Sequence, residues 1–167
     1  RKSEAILLIE IDGRGSIVQE DAETIRTIAV KNNASALKGA ADETEANILK
    51  TARRSAFSAL ARRMPTTILE DATVPRSELP VMIEKVSKAA MIYGVMIGNF
   101  GHAGDGNLHP TCLTDERDSK ELDKAHRAFD FIFNEAIKLG GTITGEHGTG
   151  LAKKHFLEQV AGPAGVD

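Results

Sequence analysis

The chain has 167 residues, which is enough for one domain with a core of its own. Hydrophobic residues make up 41% of it and charged residues 27%, a composition typical of soluble globular proteins and not of disordered ones. A net charge of -3 and a pI near 6.0 give no electrostatic basis for binding nucleic acid or an anionic membrane. Cys112 is the single cysteine, and no apolar run approaches the roughly 20 residues that span a bilayer, so we expect a cytoplasmic protein without a transmembrane segment.

The two ends of the chain predict a piece of a longer protein. The sequence begins at Arg1 without a methionine, and no signal-peptide pattern follows. It stops soon after the turn-forming residues Gly162, Pro163 and Gly165. We therefore interpret residues 1–167 as one domain of a larger parent chain.

The first third of the chain combines apolar runs with helical patterns. Residues 5–11 (AILLIEI) are rich in branched apolar side chains and are followed by Asp12 and Gly13, which predicts a buried strand. Apolar residues then recur at helical spacing over residues 20–31, and residues 35–41 form a short strand candidate.

A second helix is predicted by its start signal. Asp42, with Glu45 three residues later, resembles a capping box. One apolar stripe runs from Ile48 to Met64 and predicts a single long helix.

The remaining elements predict the fold class. In chain order they are a strand at residues 66–71, a helix from about Pro80 to Gly94, strands at 95–100 and 108–113, a helix over 122–139, and a short strand at 142–144. This order predicts an α+β fold of ferredoxin-like type, with a mostly antiparallel sheet and flanking helices.

The most informative segment is residues 101–109, GHAGDGNLH. Asp105 and Gly106 are typical of a two-residue hairpin turn. Such a turn places His102 directly opposite His109, on one face of the ladder and with β-carbons about 5 Å apart. Two imidazoles at that separation can bind one ion through bonds of roughly 2 Å, so the spacing predicts a metal site.

A second glycine-rich segment, residues 145–150 (GEHGTG), offers further ligands. It supplies a carboxylate at Glu146 and an imidazole at His147. Two histidines and a glutamate leave coordination positions open, as in catalytic metal sites. The alternative is that the histidines of both segments only bond backbone groups, or that the backbone amides there bind a phosphate.

Several other enzyme classes are not favoured by the motifs present. The glycines of both segments fail the order of the dinucleotide fingerprint, and the chain has no HExxH pair, GxSxG elbow or Walker loop.

Together, GHAGDGNLHP and GEHGTGLAKKHFLE resemble the C-terminal domain of the FAD-linked oxidases, a family that includes glycolate, D-lactate and D-2-hydroxyglutarate dehydrogenases. The segments LLIEIDG, TARRSAFSAL and DATVPRSELP match the same family in the same order, so the resemblance covers nearly the whole chain. It implies a ferredoxin-like cap over the flavin ring, while FAD is held mainly by an N-terminal domain that this chain lacks.

The resemblance also implies roles for individual residues. By motif position His102, His109 and Glu146 are similar to the ligands of a divalent metal such as zinc, manganese or iron. His147 is similar to the group that takes the substrate hydroxyl proton.

Arginines and turn residues complete the set that the resemblance implies. Arg53 matches an arginine that binds the substrate carboxylate, and Arg76 is a second candidate for that task. Asn107 is assigned to cofactor binding, although Asn107 and Asp105 also shape the turn.

The function implied is the substrate- and metal-binding cap of a flavin-dependent dehydrogenase or oxidase for a small 2-hydroxy acid of glycolate or D-lactate type. Pro110 and Thr111 follow His109 where some 2-hydroxyglutarate enzymes place another polar contact, which weakens that substrate assignment. The expected partners are the FAD domain of the parent chain and additional oxidase subunits, and the parent enzyme can lie peripherally at the inner membrane. Alone, this piece is expected to be inactive.

Two other functions remain open from the residues. One is a metal-dependent hydrolase or lyase that uses the same ligands without flavin, and an upstream flavin domain in the reading frame would argue against it. The other is a non-catalytic metal-binding module, which would bind metal but no hydroxy acid.

Overall fold

A computed structural model of the protein describes residues 5–166, which divide into two compact units, 5–57 and 58–166. The first unit contains α1 (Gly15–Lys31), α2 (Glu43–Arg54) and the beginning of α3 (Ala56–Ala61). The single domain predicted for the chain stays a prediction.

The start of α2 confirms Asp42 as the cap of the predicted box, while Glu45 bonds the residue before Asp42. The Asp42 carboxylate accepts a hydrogen bond from the backbone N–H of Glu45 at 2.8 Å. The Glu45 carboxylate in turn accepts one from the N–H of Ala41 at 3.0 Å. Two N–H groups that lack partners within the helix are satisfied in this way.

The two strands predicted for the first unit are wrong. Residues 5–11 and 35–41 have no regular secondary structure, and Ile6 and Leu7 are 87% and 72% exposed. A strand needs a neighbour to bond its N–H and C=O groups. Among described residues 5–57 the regular elements are helices, so no such neighbour is present there.

The predicted helices differ from the observed ones in their limits. Helix α1 begins at Gly15, five residues before the apolar pattern suggested. The single helix predicted up to Met64 is divided at Ser55. There both the N–H and the hydroxyl of Ser55 donate to the Thr51 carbonyl, and such side-chain bonds compete with a continuing helix.

The second unit is an antiparallel sheet with helices. Its elements are β1 (Thr66–Leu69), β2 (Ala72–Thr73), a 3-10 turn (Arg76–Glu78), α4 (Leu79–Tyr93), β3 (Met96–His102), β4 (Asn107–Thr114), α5 (Ser119–Lys138) and α6 (Leu157–Ala161). Strand β4 is central, with β1 and β2 along one edge and β3 along the other. Strands β1 and β3 are therefore parallel, joined through α4 and separated by β4. This split β-α-β arrangement confirms the predicted α+β fold.

The last predicted strand is reduced to one bridge. Thr142 exchanges both backbone hydrogen bonds with Thr73, at 2.8 and 3.0 Å, and residues 143 and 144 do not extend the ladder. The predicted strand at 142–144 is therefore wrong in length.

The core lies between one face of the sheet and helices α4 and α5. Because successive strand residues point to opposite faces, the burial of Leu108 and Cys112 in this core turns Asn107 and His109 to the other face. The core residues are Ala72, Val74, Met82, Val86, Ala89, Leu108, Cys112, Ala125, Ala128, Phe129, Ile132, Phe133, Ala136, Ile143 and Phe156.

Pro110 explains why β1 and β2 are separate. Both strands follow one register against β4, in which Glu70 stands opposite Pro110 and Asp71 opposite His109. The N–H of Glu70 donates to the Pro110 carbonyl at 3.2 Å, but proline has no N–H to return. The ladder is interrupted at this point, next to the histidine of the central strand.

The hairpin register differs from the prediction by two residues. Strand β3 ends at His102, which stands opposite Asn107, and His109 stands opposite Phe100. Residues 103–106 form a four-residue loop in place of the predicted two-residue turn. A shift of two keeps every side chain on its predicted face, because strand side chains alternate with a period of two.

Candidate functional site

Two imidazoles meet on the face of the sheet that points away from α4 and α5. His102 and His109 are diagonal neighbours across β3 and β4, not a directly opposed pair as predicted. Their ring centroids are 5.3 Å apart and the rings are nearly perpendicular. Diagonal neighbours on one face of a ladder remain within reach of long or aromatic side chains.

Glu146 brings a carboxylate from the loop after α5 to both imidazoles. Its Oε1 lies 2.9 Å from Nε2 of His109 and 3.5 Å from Nε2 of His102. One ligand atom from each of the three residues lies within 4.8 Å of the other two. The structure thus brings together the three residues that the sequence analysis assigned to a metal.

The two histidines of this group have different surroundings. The side chain of His109 is 5% exposed and that of His102 is 48% exposed. Burial lowers the pKa of His109 despite the opposing charge of Glu146, which favours the neutral form of the ring. Its buried Nδ1 has no hydrogen-bond partner among residues 5–166.

Asn107 orients the Glu146 carboxylate. Its buried amide donates to Oε1 of Glu146 at 3.2 Å and accepts from the Thr73 hydroxyl at 3.0 Å. The close approach of Gly145 leaves no room for a side chain, because a β-carbon there would lie 2.4 Å from the Thr73 Oγ1. The predicted contact of Asn107 with the cofactor stays a prediction.

Asp71 holds the backbone of the Glu146 loop. One oxygen, Oδ2, accepts the N–H groups of Gly145 and Glu146, each at 2.8 Å, and that of His147 at 3.1 Å. The other oxygen, Oδ1, accepts from the Lys153 ammonium at 3.0 Å. Burial by itself raises the pKa of Asp71, but these N–H bonds and the ammonium outweigh it and hold the pKa well below the usual range.

Lys153 is itself buried between two carboxylates. It is 2% exposed, and its Nζ lies 3.0 Å from Asp71 Oδ1 and 3.0 Å from Glu70 Oε2. A buried ammonium without such partners would be strongly destabilising. Glu70 and Asp71 occupy the interruption of the outer strand opposite Pro110, where both can reach Lys153.

His147 lies beside the three grouped residues. Its ring stacks on His109 with centroids 4.9 Å apart, and its Nδ1 lies 3.9 Å from Asp71 Oδ1. Its side chain is 40% exposed, so the ring is accessible from outside. The predicted role in proton transfer stays a prediction.

An open pocket adjoins the site, and its lining residues are Thr73, His102, Asp105, Asn107, Gly145 and Glu146. Arg76 is exposed, and its backbone lies near Gly106 of the hairpin loop. The Gly106 carbonyl accepts a hydrogen bond from the N–H of Val74 at 3.0 Å. Arg53 is a half-buried residue of α2 in the first unit. Substrate binding by either arginine stays a prediction.

The sequence analysis missed Thr73, Asp71 and Lys153. Asp71 was visible only as the polar last residue of an apolar strand candidate, and Lys153 only as one of two lysines in a row. The contact between Lys153 and Asp71 joins positions more than 80 residues apart in the sequence. The one available signal for these residues was Asp71, a polar residue at the end of a predicted buried strand.

Comparison with known proteins shows the family of this chain. The model for the C-terminal domain of FAD linked oxidases matches residues 1–167. The chain belongs to this family. The glycolate oxidase subunit GlcD of Bacillus subtilis is 52% identical over 165 residues, which are 99% of this chain and 35% of that protein.

Further relatives are more distant in sequence. The GlcD subunit of Escherichia coli is 38% identical over 90% of this chain and 30% of its own length. A probable mitochondrial D-lactate dehydrogenase of Danio rerio is 32% identical over 96% of this chain and 33% of its own length. The chain therefore spans about a third of the length of these curated relatives. In the part that the structure describes, no helix is long and apolar enough to cross a membrane.

Proposed function

We propose that this domain supplies the substrate- and metal-binding residues of a flavin-dependent enzyme that oxidises a small 2-hydroxy acid of glycolate or D-lactate type. The observation that carries the proposal is the convergence of His102, His109 and Glu146, with His147 beside them, in a member of the FAD-linked oxidase family. FAD is supplied mainly by a flavin domain of the parent chain.

The donor set suits a divalent cation such as zinc, manganese or iron. Two imidazoles and one carboxylate are ligands of the type that these metals share, and three protein ligands leave positions open. Both Nε2 atoms already face the same Glu146 oxygen, at 2.9 and 3.5 Å. When bound, the cation supplies Lewis-acid stabilisation of the charge that develops on the substrate hydroxyl oxygen.

In this proposal His147 takes the hydroxyl proton. Its ring lies against His109 and is open to the outside, so a hydroxyl at the metal ligands also lies near this imidazole. Removal of the proton by a positioned base contributes typically about 10² to 10⁴ in rate. The flavin supplies the acceptor for the hydride that leaves the neighbouring carbon.

An arginine would bind the substrate carboxylate and so orient the reacting carbon. Arg76 is exposed, follows the strand that carries Thr73, and has its backbone near Gly106 of the hairpin loop. Arg53 is the other candidate. A guanidinium can hold a carboxylate through two parallel hydrogen bonds, which fixes orientation as well as position.

Metal binding is tested first with Mn²⁺ and Zn²⁺ by calorimetry. We expect one ion per chain, and at least about a 100-fold weaker affinity in Glu146→Gln and in His109→Gln, because each removes one of three protein ligands. His126→Gln is the matched control, since His126 is an exposed histidine on α5 outside the group. Equal affinity in all four proteins would reject this site.

Turnover is tested in the parent enzyme that contains the flavin domain. His147→Gln should lower kcat for glycolate or D-lactate by about 10² or more while the bound FAD absorbance is unchanged. Metal binding without any hydroxy-acid turnover in the wild type would favour the metal-binding module. Turnover of another substrate without flavin would favour a hydrolase or lyase.

A further inference from the structure

We propose that Asp71 is a positioning residue that sets the Glu146 carboxylate against the two imidazoles through the backbone of residues 145–147, with Lys153 as its counter-charge. The inference rests on the proposed function in one respect, because the place of Glu146 matters only if the site takes a cation.

The geometry of the carboxylate is the first support. A single oxygen, Oδ2, accepts three successive N–H groups at 2.8, 2.8 and 3.1 Å. The middle one belongs to Glu146 itself, so the backbone of the ligand residue is tied directly to Asp71. Hydrogen bonds to an ionised acceptor are roughly twice as strong as neutral ones. The carboxylate is completely buried, which excludes water as a competitor for these donors.

Lys153 is the second support. Its buried ammonium lies 3.0 Å from the oxygen of Asp71 that does not bond the loop, so the two oxygens divide their tasks. Oδ1 binds the Lys153 ammonium, and Oδ2 accepts the hydrogen bonds of the loop N–H groups. Removal of one member of such a buried pair leaves an uncompensated charge.

The third support is that neighbouring groups contact the loop on both sides of Glu146. Gly145 lies against Thr73 and Asn107 so closely that a β-carbon would approach Asn107 Nδ2 to 2.7 Å. The Thr144 hydroxyl accepts the N–H of Gly148 at 2.8 Å and closes the loop behind His147. Between these contacts, Asp71 determines how far the loop projects over the imidazoles.

The test compares Asp71→Asn with Glu135→Gln in the full chain. Both changes remove the charge of a buried carboxylate that bonds lysine, but Glu135 lies on α5 and contacts Lys85 and Lys138. In Asp71→Asn we expect amide hydrogen exchange at residues 145–147 to be at least about tenfold faster, and Mn²⁺ affinity to fall about 10- to 100-fold. Glu135→Gln should lower stability and change neither quantity.

A metal-free measurement on the wild type covers the case in which Asp71→Asn does not fold. The amides of residues 145–147 should then exchange more slowly than those of the exposed residues 35–39. Exchange at the rate of those exposed residues would overturn the inference, and so would Asp71→Asn behaving like Glu135→Gln in both readouts. A wild type that binds no Mn²⁺ but shows protected 145–147 amides would contradict the proposed function and leave the tie between Asp71 and the loop supported.

Discussion

At the scale of single residues, the candidate site consists of His102, His109 and Glu146 and also of the side chains that contact them. Asn107 connects Thr73 to Glu146, and the residue is 5% exposed. A carboxylate that ligates a metal is usually held by such a donor, which fixes its orientation and tunes its basicity.

Replacing Asn107 with leucine tests this contact. Asn107→Leu keeps the approximate volume but removes the donor to Glu146 and the acceptor for Thr73, so we expect Mn²⁺ affinity to fall about 10- to 100-fold. Titration calorimetry measures it. The matched control is Thr114→Val on the same strand, because the buried Thr114 hydroxyl has no partner among residues 5–166. Equal affinities in the two variants would contradict the role of Asn107.

At the scale of elements, the β3–β4 hairpin is the part of the site that the sequence specifies best. The predicted turn was two residues too short, yet His102 and His109 still converge, because an even shift preserves the face of each side chain. A register shift by an odd number of residues would have put the two histidines on opposite faces of the sheet. The hairpin and its histidines were therefore predictable from local spacing, whereas the exact register depended on how the loop packs.

Gly106 fixes that loop. It has φ +73°, and a β-carbon on it would lie 2.0 Å from the Val74 carbonyl oxygen. Gly106→Ala therefore combines backbone strain with a clash against backbone, and we expect a loss of more than about 2 kcal/mol in the free energy of unfolding by urea. Gly104→Ala in the same loop is the control, since nothing lies within 4 Å of its β-carbon and its stability should be nearly unchanged. Similar losses in both variants would disprove the role of Gly106.

The wrong predictions in the first unit have a different cause. Residues 5–11 have the composition of a strand, but composition does not provide a neighbouring strand. Helices α4 and α5 of the second unit were predicted well because their signals are local, whereas the short helix α6 was not predicted. The limits of α4 and α5 agree closely with the apolar spacing and with Gly94 and Gly140 as stops.

At the scale of the whole second unit, α4 and α5 are joined by charge as well as by the core. Glu135 of α5 is 8% exposed and pairs with Lys85 of α4 at 2.6 Å and with Lys138 at 2.7 Å. Hydrogen bonds from Lys138 and Lys85 hold the pKa of Glu135 below its ordinary value of 4.5.

This pairing predicts a pH dependence of stability. A lowered folded-state pKa means that the stabilisation is complete above about pH 4.5 and disappears as the pH falls through the folded-state value. Glu135→Gln should therefore be less stable than the wild type by about 1 kcal/mol at pH 7, and the difference should vanish in acid. Urea unfolding at several pH values measures it. Glu121→Gln, which removes an exposed pair with Lys124 on the same helix, should show no such difference. A difference in unfolding free energy between wild type and Glu135→Gln that does not change with pH would contradict this assignment.

The contacts that the sequence did not reveal are those made at long range. Asp71 reaches the loop at residues 145–147 and Lys153, and no local pattern announces either contact. Which buried carboxylate meets which loop is decided by the strand order and by the interruption at Pro110. Such pairings follow from the tertiary fold, so a single sequence indicates the ligands more readily than the groups that hold them.

The origin of the ligands in the chain also has a kinetic consequence. His102 and His109 are neighbours across a short loop, and hairpins of this size close on a timescale of about 1–10 μs. Glu146 arrives only when the segment after α5 has reached the sheet, a contact of much larger sequence separation and therefore slower. During refolding the two imidazoles therefore converge before Glu146 joins them. Under the proposed function, a cation present from the start would meet two of the three protein ligands before the carboxylate arrives.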